Sequence, residues 1–262
     1  MAADGPSCES AASGRLDFVS DYHSMNDILA AGFRLFCKYF GVILALVLTI
    51  GLPCQLLASY VTYAVFQKQF VPAWQTSALL ELVFGSVITG GILHALFVDK
   101  MGRRARFTEC FSEGVRNWLP LCWTHFLVSC LITMASVLFF VPIGTWQMRI
   151  IFLLPALILG IRLSLSLTVV MTEGEWGTAA LRRSVRLTAD KTWQILGLCL
   201  FVYLPVQVVG FIGIGMLQTN PEWDTWGMTA GLNTVLRLVS CIIPVCFFCL
   251  YEKVIAEDRP DV

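Results

Sequence analysis

The segment YFGVILALVLTIGLPCQLLASYVTYA, residues 39–64, carries no charged side chain over its whole length. An α-helix rises about 1.5 Å per residue and the hydrocarbon core of a bilayer is about 30 Å thick, so roughly 20 apolar residues suffice to cross it. This segment is long enough, and Tyr60, Tyr63 and Phe66 at its far end suit an interfacial anchor. Five runs of the same kind follow, at 79–98, 118–141, 150–171, 195–217 and 232–250. The expected fold is all-α: a polytopic membrane protein of six transmembrane helices. Trp74, Trp118, Trp146, Trp193, Trp223 and Trp226 fall at or near the ends of the runs, as an aromatic belt requires. Pro53, Pro142, Pro155, Pro205 and Pro244 lie inside runs or at their edges, where neighbouring helices can re-satisfy the carbonyls they free.

Composition agrees. The 262 residues are 57% hydrophobic and 14% charged, with a mean hydropathy of +0.74, whereas a soluble domain carries about 25% charged residues. A formal net charge of zero argues against a nucleic-acid partner. The partner to expect is the lipid bilayer. Of ten cysteines, Cys54, Cys122, Cys130, Cys199, Cys241, Cys246 and Cys249 fall inside apolar runs, where a thiol behaves as a small hydrophobe. Cys246 and Cys249 have redox-motif spacing, but there is no βαβ context and no second pair to complete a metal site. His94 and His125 have no partner at metal spacing. No cofactor is expected.

Lysine and arginine set the orientation. Arg15, Arg34 and Lys38 precede the first run. Lys100, Arg103, Arg104, Arg106 and Arg116 separate the second from the third. Arg182, Arg183, Arg186 and Lys191 separate the fourth from the fifth, and Lys253 and Arg259 follow the sixth. The other side holds only Lys68 and Arg149. The positive-inside rule then places both termini in the cytoplasm. Residues 1–24, polar and acidic with no signal-like apolar centre, read as a disordered cytoplasmic tail. Residues 25–251 form the transmembrane domain, and 252–262 a C-terminal cytoplasmic tail.

The basic segments have helical periodicity. Phe107, Cys110, Phe111, Gly114, Val115 and Trp118 recur at helix spacing, as do Ile28, Leu29, Phe33, Phe36, Cys37 and Phe40. In the third segment Arg182, Arg183, Arg186 and Asp190 oppose Leu181, Val185 and Thr188. Each reads as an amphipathic helix in the headgroup region, ahead of two spans. The sequences LAAGFR (29–34), FSEGVR (111–116) and LRRSVR (181–186) share an apolar residue, two others, then small, apolar and Arg. The expected plan is three units, each a surface helix followed by a helical hairpin.

Residues 165–188, LSLTVVMTEGEWGTAALRRSVRLT, contain an Ala-Leu-x-x-Ser-x-x-Leu-Thr signature at 180–188. The stretch resembles an uncharacterised family of six-span inner-membrane proteins of Gram-negative bacteria. It is also similar to the membrane domain fused to some glycerophosphodiester phosphodiesterases. The resemblance implies a bacterial inner-membrane location and six spans, and no mechanism. The catalytic barrel of those phosphodiesterases would need about 250 further residues.

Three charged residues lie within the runs: Glu81, Arg162 and Arg237. Glu81 and Arg237 share a depth near the outer face and could pair; Arg162 falls near the midplane with no carboxylate at its level. An intramembrane charge costs at least about 2.5–3.5 kcal/mol to insert, so each should face the bundle or a wet cavity. Motifs for metal-dependent hydrolysis, a nucleophile elbow and a phosphate loop are missing. The reading is a non-enzymatic membrane protein acting in envelope or phospholipid homeostasis, its basic helices facing anionic phospholipid. The alternative is a small transporter of an anionic or lipid substrate, with Arg162 in the path.

Overall fold

The structure, a computed structural model, describes residues 25–64, 79–140, 154–219 and 225–258. The chain forms α1 (Met25–Lys38), α2 (Phe40–Ala64), α3 (Glu81–Lys100), α4 (Phe107–Arg116), α5 (Trp118–Phe140), α6 (Leu154–Leu163), α7 (Ser166–Glu173), α8 (Thr178–Leu187), α9 (Thr192–Thr219), α10 (Trp226–Ser240) and α11 (Ile242–Asp258). Six helical stretches are long and apolar enough to cross a membrane: α2, α3, α5, α6 with α7, α9, and α10 with α11. The chain is a multi-pass membrane protein. The expected tail 1–24, Pro142, Lys68, Arg149, Trp74, Trp146 and Trp223 lie outside the described residues.

Breaks in the spans have local causes. Pro244 has no N–H to give to the Ser240 carbonyl, and the sixth span breaks at Cys241, just ahead of it. The fourth span breaks at Ser164–Leu165 without a proline. There the Ser164 and Ser166 hydroxyls donate to the carbonyls of Ile161 (2.8 Å) and Leu163 (2.7 Å), competing with the helix ladder. Tyr39 (φ −101°, ψ 11°) and Asn117 (φ −94°, ψ 12°) each leave helical geometry for one residue, so α1 meets α2, and α4 meets α5, at a bend.

The second span packs deepest. α3 is 61% buried over its apolar window, against 11% for α5 and 17% for α9, so the latter two turn most of their surface outward. Small residues make this possible, because helices in lipid associate through close packing. A Cβ at Gly90 would lie 2.6 Å from Leu121 Cδ1, and one at Gly91 would lie 3.1 Å from the Cys110 carbonyl oxygen. Burial there pushes the Cys110 thiol up to about 11, which keeps it neutral.

The three amphipathic segments are helices, and each has a protein partner. α4 runs antiparallel to α3: Glu109 lies opposite His94, Gly114 against Val87, and Trp118 Nε1 donates to the Val83 carbonyl at 2.8 Å. α8 folds back on the fourth span, and α1 packs on α11, where a Cβ at Gly32 would meet Cys246 Sγ at 2.6 Å. The LAAGFR-type repeat acquires a meaning here. Its small residue (Gly32, Gly114, Ser184) is buried in every copy, and its apolar–Arg pair (Phe33–Arg34, Val115–Arg116, Val185–Arg186) is exposed in every copy. The small residue admits a neighbouring span while the pair faces away from it.

The boundary expected at 251 falls inside a helix. α11 continues to Asp258, with Glu252 and Lys253 buried. Pairing makes the burial of Glu252 possible, since it meets Lys100; at the exposed end Glu257 meets Lys191, and Asp258 forms an ion pair with Arg183 at 3.5 Å. Tyr251 donates to Glu173 at 2.9 Å. Hydropathy falls at these charges, so the apolar run ends before the helix does.

Candidate functional site

Of the three charged residues singled out within the runs, the structure brings two together. Glu81 in α3 and Arg237 in α10 form an ion pair through Glu81 Oε1 and Arg237 Nη1. Two backbone features make room for it. Glu81–Gly85 forms a π-helical turn, and Gly85 leaves the space the pair fills: a Cβ there would lie 2.7 Å from Arg237 Nη2 and 2.9 Å from Glu81 Oε1. The widened turn also leaves the Val83 carbonyl to Trp118. The Arg237 side chain is 18% exposed and that of Glu81 37%. Arg237 Nε is buried with no hydrogen-bond partner among the described residues. Pair and turn lock α10 against α3.

Arg162 stands apart, half-buried at the end of α6, and its guanidinium makes no ion pair among the described residues. Its backbone holds the structural contact. The break at Ser164–Leu165 frees the Arg162 carbonyl, which accepts from Ser184 Oγ (2.8 Å) and Thr188 Oγ1 (3.2 Å) of α8. The signal for this was in the repeat, since Ser184 occupies the small position. A prediction separates side chain from carbonyl. Arg162→Leu should leave the melting temperature of the detergent-purified protein unchanged or higher. Ser184→Ala should lower it, the lost hydrogen bond being worth about 1 kcal/mol. A larger drop for Arg162→Leu would show that the guanidinium itself holds the bundle.

The basic end of the bundle is partly neutralised from within. Asp99 accepts from Lys38 Nζ (2.6 Å) and from the Tyr39 hydroxyl (2.7 Å), and Glu173 takes both oxygens to Arg183 Nε at 3.1–3.2 Å. Arg103 reaches Glu109 at 3.4 Å and Arg116 reaches Glu113 at 3.3 Å. Arg34, Arg104, Arg106, Arg182 and Arg186 are exposed and make no ion pair among the described residues. Exposed apolar side chains stand beside them, Phe33 (59%) next to Arg34 and Val185 (39%) next to Arg186. That combination suits an anionic surface with an oily layer beneath it. His94 Nε2 and His125 Nδ1 are buried without hydrogen-bond partners, and no three metal-ligating side chains converge among the described residues.

Comparison with known proteins finds no family model, no curated protein and no solved structure that matches this chain.

Proposed function

We propose that this chain is a non-enzymatic protein of the bacterial inner membrane that binds anionic phospholipid through its basic end and serves envelope or phospholipid homeostasis. Both termini lie in the cytoplasm, and α1, α4 and α8 meet the headgroups while each leads into a pair of spans. The observation that carries the reading is the set of exposed guanidiniums without carboxylate partners, set among exposed apolar side chains on helices that the bundle holds in place. Each base near an anionic surface contributes about 1 kcal/mol of attraction. Purification in mild detergent without added lipid, followed by mass spectrometry of what co-purifies, tests it. Anionic phospholipid should be enriched over the membrane from which the protein was extracted. Bulk composition, or no retained lipid, would overturn the reading.

The orientation has its own test, from the excess of lysine and arginine on one side. A reporter active only in the cytoplasm should give signal when fused after Val262 and none when fused after Thr225. The reverse result would invert every loop. The transporter alternative is favoured by one feature, the guanidinium of Arg162, which has no ion pair among the described residues and stands where an anion path would need it.

A further inference from the structure

Two grooves on the outside of the bundle occupy equivalent places in the repeat. One lies between α2, α3 and α4, has a volume of about 430 Å³, and takes Phe111 and Val115 from α4. The other lies between α5, α6 and α8, has a volume of about 730 Å³, and takes Leu181 and Val185 from α8. Those two pairs hold the same positions in the FSEGVR and LRRSVR copies. The repeat has built the same groove twice.

The charge at the lip differs. The α8 groove is lined by Leu159, Leu163, Leu181 and Val185 together with the exposed Arg182 and Arg186. The α4 groove has Ser112 where the other has Arg182, and its second arginine, Arg116, is held by Glu113 at 3.3 Å. Arg182 and Arg186 make no ion pair among the described residues. They are one helical turn apart on one face, with Cβ atoms about 5–6 Å from each other, so both forks can reach one phosphate. An apolar trough lined by two guanidiniums without ion pairs among the described residues matches a molecule with one anionic head and a hydrocarbon chain. In a membrane protein such a molecule is always at hand.

We infer that the α8 groove is a specific site for one anionic glycerophospholipid of the bilayer, with an acyl chain along Leu159, Leu163 and Val185 and the phosphate between Arg182 and Arg186. The equivalent α4 groove takes a chain without selecting the headgroup. The inference rests on the lipid-binding reading above and names its site.

The test titrates the detergent-purified, delipidated full chain with phosphatidylglycerol, phosphatidylcholine or glycerol phosphate, and counts bound molecules by native mass spectrometry. The wild type should show one phosphatidylglycerol site that phosphatidylcholine does not match. Arg182→Gln with Arg186→Gln should weaken it about 30-fold, from two bases at about 1 kcal/mol each. Val185→Trp, which fills the trough and leaves both charges, should abolish it. Arg116→Gln, at the equivalent position of the α4 copy, should leave it intact. Unchanged affinity in the Arg182/Arg186 variant or in Val185→Trp would overturn the inference, as would glycerol phosphate binding as tightly as the lipid. If the wild type binds no anionic lipid at all, the broader reading fails with it. If it binds anionic lipid that these variants do not disturb, only this site is lost.

Discussion

Glu81→Leu should destabilise the protein by about 1–3 kcal/mol, less than the cost of breaking a fully buried ion pair because the Glu81 side chain is itself 37% exposed. The Arg237 guanidinium would be left inside a span with no carboxylate. It cannot escape by losing a proton, because arginine stays protonated in proteins. Arg237→Leu should cost less. The orphaned Glu81 carboxyl can take up a proton and become neutral, and its side chain is the more exposed of the two at 37%. The double change Glu81→Leu with Arg237→Leu should recover most of the loss, since no charge is then buried and Leu restores apolar volume. Denaturant unfolding of the four proteins in one detergent reads the series. A double variant as unstable as Glu81→Leu alone would show that the leucines fail to pack, and that the pair is not the cause.

Gly114→Val should separate α4 from α3. A Cβ at Gly114 would lie 2.6 Å from the Val87 carbonyl oxygen and 3.1 Å from the Gly91 amide nitrogen. Both are backbone atoms, so no side-chain rotation relieves the clash, and the two helices must move apart. Overpacking of this kind costs about 1–3 kcal/mol and more where nothing can yield. The expected result is a lower melting temperature and new protease cleavage between 101 and 118 from the face carrying the basic loops. Gly41→Ala is the control: nothing lies within 4 Å of its Cβ position, and alanine is the better helix former. If Gly114→Val melts like the wild type, α4 is held by lipid on its outer face and its contact with α3 is incidental.

Six spans were legible because the bilayer imposes its demand on each segment separately. A spanning helix must satisfy its own backbone and present roughly 20 apolar residues, and both conditions can be read along one stretch of chain. Where their limits fall on described residues, the first five runs agree with the helices to within a few residues, and the helical stretch that holds the sixth run is longer at both ends, Trp226–Asp258. Arg237, Glu252 and Lys253 interrupt the apolar pattern there, and the partners that neutralise Arg237 and Glu252 lie in α3. Depth alone suggested that Glu81 and Arg237 could meet, and they do.

What the sequence by itself determined is thus the number of spans, the amphipathic character of three further helices and the recurrence of a small residue followed by an apolar residue and arginine. Only the tertiary structure decided what those helices lean on. That α4 lies antiparallel to α3, that a break at Ser164–Leu165 hands the Arg162 carbonyl to α8, and that Leu159 and Val185 face one groove are all lateral facts. Between helices in lipid there is little hydrophobic drive, since the lipid is as apolar as the side chains it would replace. Lateral packing is therefore chosen by steric fit at residues such as Gly114 and by single hydrogen bonds such as Ser184 to Arg162. Those choices join positions far apart in the chain, so no local pattern records them.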